Sequence, residues 1–300
     1  MKTKLLACVL LLLCGVAASL GLAEQAETAR GPFAEMKAKA ESGDAESQFQ
    51  LGRCYDKGEG VPRDLVEAAK WYRKAAEQGL AKAQDNLGLC YDLGEGVAQD
   101  HAEAVKWFRK AAEQNLARAQ SNLGHSYDRG TGVARNPAEA VKWYRKAAEQ
   151  NYALGQFNLG LCYATGEGVK QDYVEAVRWF RKAAEQNLAG AQDTLGDCAA
   201  MGVGMAKDVA QGVTWYRKAA EQEYAKAQYH LALCYDRGQG VAKEPAEAYK
   251  WSLLAMRRGD EKAKALVAAL QKEMTPAQIA EGEKRAGAFQ PRPAASPKRK

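Results

Sequence analysis

Small and apolar residues along this chain recur at steps of three and four. Ala45, Gln48, Leu51, Gly52 and Tyr55 fall on one face of a helix, and Ala68, Trp71, Ala75 and Ala76 on one face of a second. Between the two runs lies Gly58-Glu59-Gly60-Val61. Glycines just past a helix end take positive φ readily and let the chain reverse. The same pattern returns down the sequence. Tryptophan stands at 71, 107, 143, 179, 215 and 251, always 36 residues apart. A fixed period of that size marks one supersecondary unit copied in tandem. With Ala45 as the first position, the units are 45–80, 81–116, 117–152, 153–188, 189–224 and 225–260, each a helical hairpin.

The second helix of each hairpin carries start and stop signals. Asp64 with Glu67, Asp100 with Glu103 and Asp172 with Glu175 have the spacing of an N-cap and its N3 partner. Asn136-Pro137 and Glu244-Pro245 place proline at the first helical position, where no N–H is needed. Gly79, Asn115, Asn151, Asn187 and Gly259 tolerate the left-handed conformation that ends a helix. Gly52, Ala68 and Ala75 leave room for a neighbouring helix, and Tyr55 and Trp71 fill what remains. One hairpin cannot bury both its faces, so six in a row predict a continuous elongated core. The tryptophans then bear on stability and not on recognition.

The string Leu87-Gly88-x-Cys90-Tyr91-x-x-Gly94-x-Gly96-Val97, followed by Asp100, Ala104, Trp107 and Ala111-Ala112, resembles the Sel1-like repeat, a relative of the tetratricopeptide repeat. The resemblance covers 45–260. It implies an all-α fold, a right-handed α/α superhelical solenoid whose first helices line a concave groove. It also implies an adaptor or scaffold for other proteins. One bacterial branch of the family, cysteine-rich and secreted, is linked to β-lactamase activity and penicillin binding. That branch pairs cysteines within a unit, whereas each unit here has at most one.

The ends depart from the repeat. Residues 1–23 read as a secretory signal peptide: Lys2 and Lys4, an apolar run from Leu5 to Val16, then small residues at Ala17, Ala18 and Ala23. Cleavage after Ala18 or Ala23 fits. The run is too short to span a bilayer, and no other segment can. The protein is therefore expected to be exported, periplasmic or secreted, with no integral membrane segment. Residues 32–44 read as an N-terminal capping helix and 261–286 as C-terminal capping helices, the last opened by Thr275-Pro276-Ala277-Gln278. Residues 287–300, rich in proline, alanine and basic groups, are expected to be a disordered tail.

Formal charge is +6. Lys2 and Lys4 sit in the leader, and Arg292, Lys298, Arg299 and Lys300 carry the rest of the excess. A near-neutral repeat body argues against nucleic acid as partner. The basic tail suits weak contact with an anionic envelope surface. Arg73-Lys74 and its copies face Glu77 and its copies three and four residues on, so intrahelical ion pairs on a solvated face are expected. Cys54, Cys90, Cys162, Cys198 and Cys234 recur at one place per unit. Stacked helices lie about 8–10 Å apart, beyond the roughly 7 Å that a disulfide allows, so these read as small buried hydrophobes.

Catalytic signatures are missing. No Ser-x-x-Lys occurs, and Gly124-His125-Ser126-Tyr127-Asp128 lacks the second glycine of a nucleophile elbow. His230 and Cys234 offer only half a metal site. The sequence thus predicts no enzyme, no metal and no cofactor. The informative residues are those that vary while the frame repeats. On the first helices one series reads Phe49, Asp85, Ser121, Phe157, Asp193, Tyr229; four residues on, Arg53, Leu89, His125, Leu161, Asp197, Leu233. A third reads Gln50, Asn86, Asn122, Asn158, Thr194, His230. These positions share a face that the Ala/Leu/Gly/Tyr stripe does not use. By similarity to tetratricopeptide proteins, Asn86, Asn122 and Asn158 fit the residue that holds a bound peptide backbone. The expected function is an exported, non-catalytic scaffold taking a protein or peptide on this face. The alternative is an envelope enzyme or binder acting on peptidoglycan or β-lactams.

Overall fold

The computed structural model describes residues 33–292, and the expected leader at 1–23 and the end of the tail at 293–300 lie outside them. The described residues hold helices and turns without strands. A helix at 33–41, α1, comes first. The first helices of the hairpins are α2 (Ala45–Lys57), α4 (Ala81–Leu93), α6 (Ala117–Arg129), α8 (Ala153–Thr165), α10 (Ala189–Met201) and α12 (Ala225–Arg237). The second helices are α3 (Leu65–Glu77), α5 (His101–Glu113), α7 (Pro137–Glu149), α9 (Tyr173–Glu185), α11 (Val209–Glu221) and α13 (Pro245–Arg257). Two more follow, α14 (Glu261–Glu273) and α15 (Pro276–Gly287). The chain clusters into two compact units, one running to Ala119 with Thr131–Ala134, the other comprising Gln120–Gly130 and everything from Arg135 on.

Local chemistry explains the element ends. The Asp64 carboxylate accepts from the backbone N–H groups of Val66 and Glu67, and Asn136 accepts from that of Glu139. Thr275 and Gln278 form a reciprocal capping box at α15. Asn115, Asn151 and Asn187 have φ of 62°, 61° and 67°, as helix-ending residues should. Glu223 holds the same place in the fifth unit with φ 64°, although glutamate gains nothing locally from that conformation.

The core is set by a residue that sequence reasoning passed over. In the first four hairpins the aromatic after the tryptophan is a large, almost fully enclosed side chain: Tyr72, Phe108, Tyr144 and Phe180 are each 2% exposed. Each ring lies on the glycine of the first helix. A methyl group on Gly88 would stand 2.6 Å from Phe108 Cδ1, and one on Gly124 would stand 2.8 Å from Tyr144 Cδ1. The tryptophans are only partly the central fill expected of them: Trp107, Trp143 and Trp251 are buried, whereas Trp71, Trp179 and Trp215 are half-buried. Each carries a lysine ammonium on its ring, as Lys74 does over Trp71 at 3.9 Å and Lys146 over Trp143 at 4.1 Å. The neighbouring arginines also find rings: Arg145 donates to the Tyr163 hydroxyl at 3.0 Å and Arg217 to that of Tyr235 at 2.8 Å. The cationic pairs therefore engage aromatic groups where intrahelical ion pairs with glutamate were expected. Stem packing and ring contact outweigh an exposed ion pair.

Buried glutamines tie the first helix of a hairpin to the end of its second, and Gln156 and Gln192 also donate to a carbonyl of the hairpin before, Ala148 and Ala184. Gln48 Nε2 donates to the Ala40 carbonyl at 3.1 Å, and its Oε1 accepts from Gln78 at 2.8 Å. The relation repeats for Gln84 with Gln114, Gln120 with Gln150, Gln156 with Gln186 and Gln192 with Gln222. Both ends of a buried amide are thus satisfied by the frame itself. In the last unit Arg258 takes the donor's place and pairs with Glu223 instead, leaving Gln228 Oε1 without a hydrogen bond.

The tail departs from expectation. Residues 288–292 lie against the second helices rather than away from them. The Phe289 ring sits edge-on to Trp251 with centroids 5.4 Å apart. The Arg292 N–H donates to the Glu221 carbonyl at 2.8 Å, and its guanidinium meets the Glu221 carboxylate at 3.1 Å. An aromatic and a cation within this stretch supply contacts that composition averaged over 287–300 conceals.

Candidate functional site on the first helices

The variable positions of the first helices do not form one exposed face. Phe49, Asp85 and Asp193 are 6%, 0% and 1% exposed, and Ser121 is buried as well. In two hairpins the fifth position of the first helix packs on the deep aromatic of the second. Phe49 and Tyr72 rings stand 5.8 Å apart, Phe157 and Phe180 5.7 Å. The expectation that Phe49, Asp85 and Asp193 contact a partner is therefore corrected: all three are interior.

Two of these interior positions carry a carboxylate, and each has polar company. Asp85 pairs with Arg118, which also reaches Asn86 Oδ1. Asn86, offered above as a backbone clamp, is thereby engaged inside the protein. Arg53 donates to Gln50 at 3.1 Å, and Leu89 is half-buried.

The second carboxylate opens a denser cluster. Asp193 and Asp197 lie one turn apart on α10, and Lys226 and His230 one turn apart on α12. His230 Nδ1 is 2.8 Å from Asp193 Oδ1 and 3.4 Å from Asp197 Oδ1. Lys226 Nζ is 3.0 Å from Asp193 Oδ2 and 3.4 Å from Asp197 Oδ2. The two Oδ1 atoms thus converge on the imidazole and the two Oδ2 atoms on the ammonium. The Tyr216 hydroxyl donates to Asp197 Oδ1 at 2.7 Å, and its ring centroid lies 5.0 Å from that of His230. Tyr229 adds a second ring at 5.9 Å. Burial, and then the Asp197 carboxylate, push the Tyr216 phenol well above its ordinary range, so it remains a donor. Burial disfavours the Lys226 charge, but the two carboxylates outweigh it and raise its pKa.

A third arrangement is an open cleft of about 450 Å³ between α6 and α8, lined by His125, Asp128, Arg129, Asn158, Leu161 and Glu167 among others. His125 is exposed, and Leu161 is an exposed leucine at 38%. Asn122 and Asn158 are half-buried. The cysteines stand apart from all of this. Those described are free and, except for half-buried Cys54, buried. Burial pushes the Cys90 and Cys162 thiols up to about 12 and those of Cys198 and Cys234 to about 11. Thiols so poised are not nucleophiles at neutral pH.

The hairpin frame that holds these residues has known counterparts. The Sel1 repeat family model matches residues 45–80, 81–116, 117–152, 153–188, 189–224 and 225–260. This chain belongs to the Sel1 repeat family. Among solved structures, it is similar to c5321, a protective antigen of uropathogenic Escherichia coli strains that displays an SLR fold. The two share 38% identity with a TM-score of 0.73, covering 85% of this chain and 56% of that one. A Sel1 repeat protein from Oxalobacter formigenes is 40% identical with a TM-score of 0.67, over 71% of this chain and 85% of its own. The DAP3-binding cell death enhancer 1 of Rattus norvegicus matches at 57% identity over 37 residues, 12% of this chain and 7% of that protein. This chain thus spans little more than half of c5321 and a small fraction of the curated relative.

The Sel1 frame explains what sequence reasoning could and could not see. A repeat aligned on itself shows which positions vary, but not which of them face inward. The polar cluster of α10 and α12 was half-visible: Asp193, Asp197 and His230 were named, while Lys226 and Tyr216 were not. The missing signal was a base 33 residues after a buried acid, present twice, as Asp85 with Arg118 and Asp193 with Lys226. No helix among the described residues is long and apolar enough to cross a membrane.

Proposed function

We propose that this protein is an exported, non-catalytic scaffold that takes a protein or peptide partner on its first helices. An all-α repeat fold of the Sel1 type commonly serves protein interaction, and the chain's family membership supports that coarse reading. One observation carries the finer reading. His125, Asn158 and Leu161 stand at positions that are not held constant across the units, and they meet in a single open cleft. The repeat frame does not require them, and the leucine is exposed beside polar groups. Such a mixture, an apolar anchor with a few hydrogen-bonding neighbours, suits one inserted partner side chain and its backbone. Of the groove residues inferred from sequence, Arg53, Leu89, Asn122, Asp197, Tyr229 and His230 are secondary contacts in this proposal. Export rests on the leader-like pattern of residues 1–23.

A photocrosslinker at Leu161 tests the binding face in living cells, with one at exposed Lys142 on a second helix as control. The expected result is a discrete crosslinked species at Leu161 that disappears in a folded His125→Ala/Asn158→Ala variant. Equal crosslinking from both positions would remove the support for this face. N-terminal sequencing of the mature protein tests export; an intact Met1 on protein recovered from the cell exterior or periplasm refutes cleavage. Hydrolysis of a chromogenic β-lactam by the purified protein, abolished by a cleft substitution, would replace the scaffold by the envelope-enzyme alternative.

A further inference from the structure

The cluster on α10 and α12 has more ligand chemistry than the fold needs. Two carboxylates and an imidazole bring their donor atoms within 4.8 Å of one another. None of the three belongs to the repeated frame. The equivalents of Asp193 in the other units are Phe49, Asp85, Ser121, Phe157 and Tyr229, and those of His230 are Gln50, Asn86, Asn122, Asn158 and Thr194. Asp85, a buried acid at the same place in the second unit, is met by the Arg118 guanidinium, which also donates to Asn86 Oδ1. Asp193 is met by a lysine and a histidine together with a second carboxylate. It is 1% exposed; its Oδ2 is ion-paired with Lys226 at 3.0 Å, while its Oδ1 faces the imidazole at 2.8 Å. The Lys226 ammonium balances only one of the two negative charges, from a side chain that is 52% exposed.

We propose that Asp193, Asp197 and His230 bind a divalent first-row transition ion, zinc in the first instance, through Asp193 Oδ1, Asp197 Oδ1 and His230 Nδ1. The spacing suits such an ion. Donor atoms about 2.0–2.2 Å from zinc in a tetrahedral array lie roughly 3.4 Å apart. Nδ1 already stands 3.4 Å from Asp197 Oδ1, and it must part from Asp193 Oδ1, now 2.8 Å away, to admit the ion. The ion requires a bare Nδ1, so the imidazole would bind it as the tautomer that carries its proton on Nε2. An imidazole among the ligands selects against calcium and magnesium, which prefer oxygen alone. Tyr216 donates to Asp197 Oδ1 at 2.7 Å and orients that carboxylate from behind. Half-exposed His230 and Asp197 give the ion a path in and leave its fourth position open to solvent or to a donor from a bound partner. Lys226 faces the opposite oxygens and opposes a second positive charge nearby. This assigns it a measurable role as a brake on affinity.

Calorimetric titration of the full-length, chelator-treated protein with Zn²⁺ alone tests the proposal, with Co²⁺ absorption as a second readout. One ion per chain is expected, with ligand-field bands that include nitrogen. Asp197→Asn and His230→Gln, each checked by circular dichroism, should weaken binding at least tenfold and abolish those bands. Lys226→Met should tighten binding severalfold, a sign that a purely structural cluster does not predict. Cys234→Ser, one turn beyond His230, should leave affinity unchanged. No binding by either wild type or Lys226→Met overturns the proposal. So does binding that survives in His230→Gln and Asp197→Asn, or that is lost in Cys234→Ser.

Discussion

Alanine at Gly124 should change sign in its effect on stability according to what stands at position 144. Tyr144 lies flat on Gly124, and a methyl group there would be 2.8 Å from both Cδ1 and Cε1 of the ring and 3.3 Å from the Ala140 carbonyl oxygen. The ring must shift, at an overpacking cost of about 1–3 kcal/mol. Alanine in a helix interior recovers about 1 kcal/mol over glycine. Gly124→Ala alone should therefore destabilise, by about 1 kcal/mol. Tyr144→Ser removes the ring and should cost about 3–5 kcal/mol through the cavity left behind. In that background the clash is gone, the helix gain remains, and the methyl fills part of the void at about 24 cal/mol per Å³. The same Gly124→Ala should then stabilise, by roughly 1–1.5 kcal/mol. The last hairpin already holds this pair, with Ala232 in the glycine's place and buried Ser252 in the aromatic's. Urea unfolding of the four variants, followed by circular dichroism and tryptophan fluorescence, measures the cycle. An effect of Gly124→Ala with the same sign in both backgrounds would refute the packing argument.

The remaining predictions concern a strained end and the thiols. Glu223→Asn should raise the unfolding midpoint, because asparagine accepts the φ of 64° that costs other side chains about 1–2 kcal/mol. The exposed Glu223–Arg258 pair lost in exchange is worth at most about 1 kcal/mol, so a lowered midpoint would show the pair to be stronger than exposure allows. The four buried thiols should make the fold alkali-sensitive. In the unfolded chain they ionise near the ordinary 9.0, in the folded chain only at about 11 to 12. Above pH 9 the unfolded state therefore holds fewer protons, so their contribution is whole below pH 9 and falls as pH rises towards 12. Alanine at Cys90, Cys162, Cys198 and Cys234 should flatten the decline in midpoint between about pH 9 and 11, and an unchanged slope would remove thiol burial as its cause.

Much of the fold was legible because a repeat supplies its own alignment. The hairpins, the left-handed asparagines and the capping box at Thr275 each rest on residues within a few positions of one another, where sequence spacing translates directly into geometry. The core was misjudged at the tryptophans for a related reason. Trp179 and Phe180 are adjacent on a helix, about 100° apart around its axis, and both places recur with the same period, yet Phe180 is buried and Trp179 only half-buried. Periodicity alone cannot say which of two neighbouring aromatics turns inward. The structure answers through Gly160, where an added Cβ would stand 2.6 Å from Phe180 Cε1. The candidate site was harder still. The partners of Asp193 lie 33 and 37 residues downstream in another unit, and reading one unit at a time hides them.

A frame that repeats satisfies its own polar groups. Gln156 is answered by Gln186 and Gln192 by Gln222, so neither is left for a ligand. Variable residues have no such standing partner and must be explained one at a time. An interior acid at the fifth position of a first helix is explained when a base follows it in the next unit, which accounts for Asp85 through Arg118. At Phe49 and Phe157 the position is aromatic instead and packs on the deep ring, and at Ser121 it is a small buried hydroxyl. Two groups of residues outlast both subtractions. His125, Asn158 and Leu161 line an open cleft and serve no contact that the frame demands. Asp193, Asp197 and His230 exceed the single lysine that would have balanced one buried acid. Function in a repeat protein is best sought in such surpluses, because packing alone gives no reason to keep them.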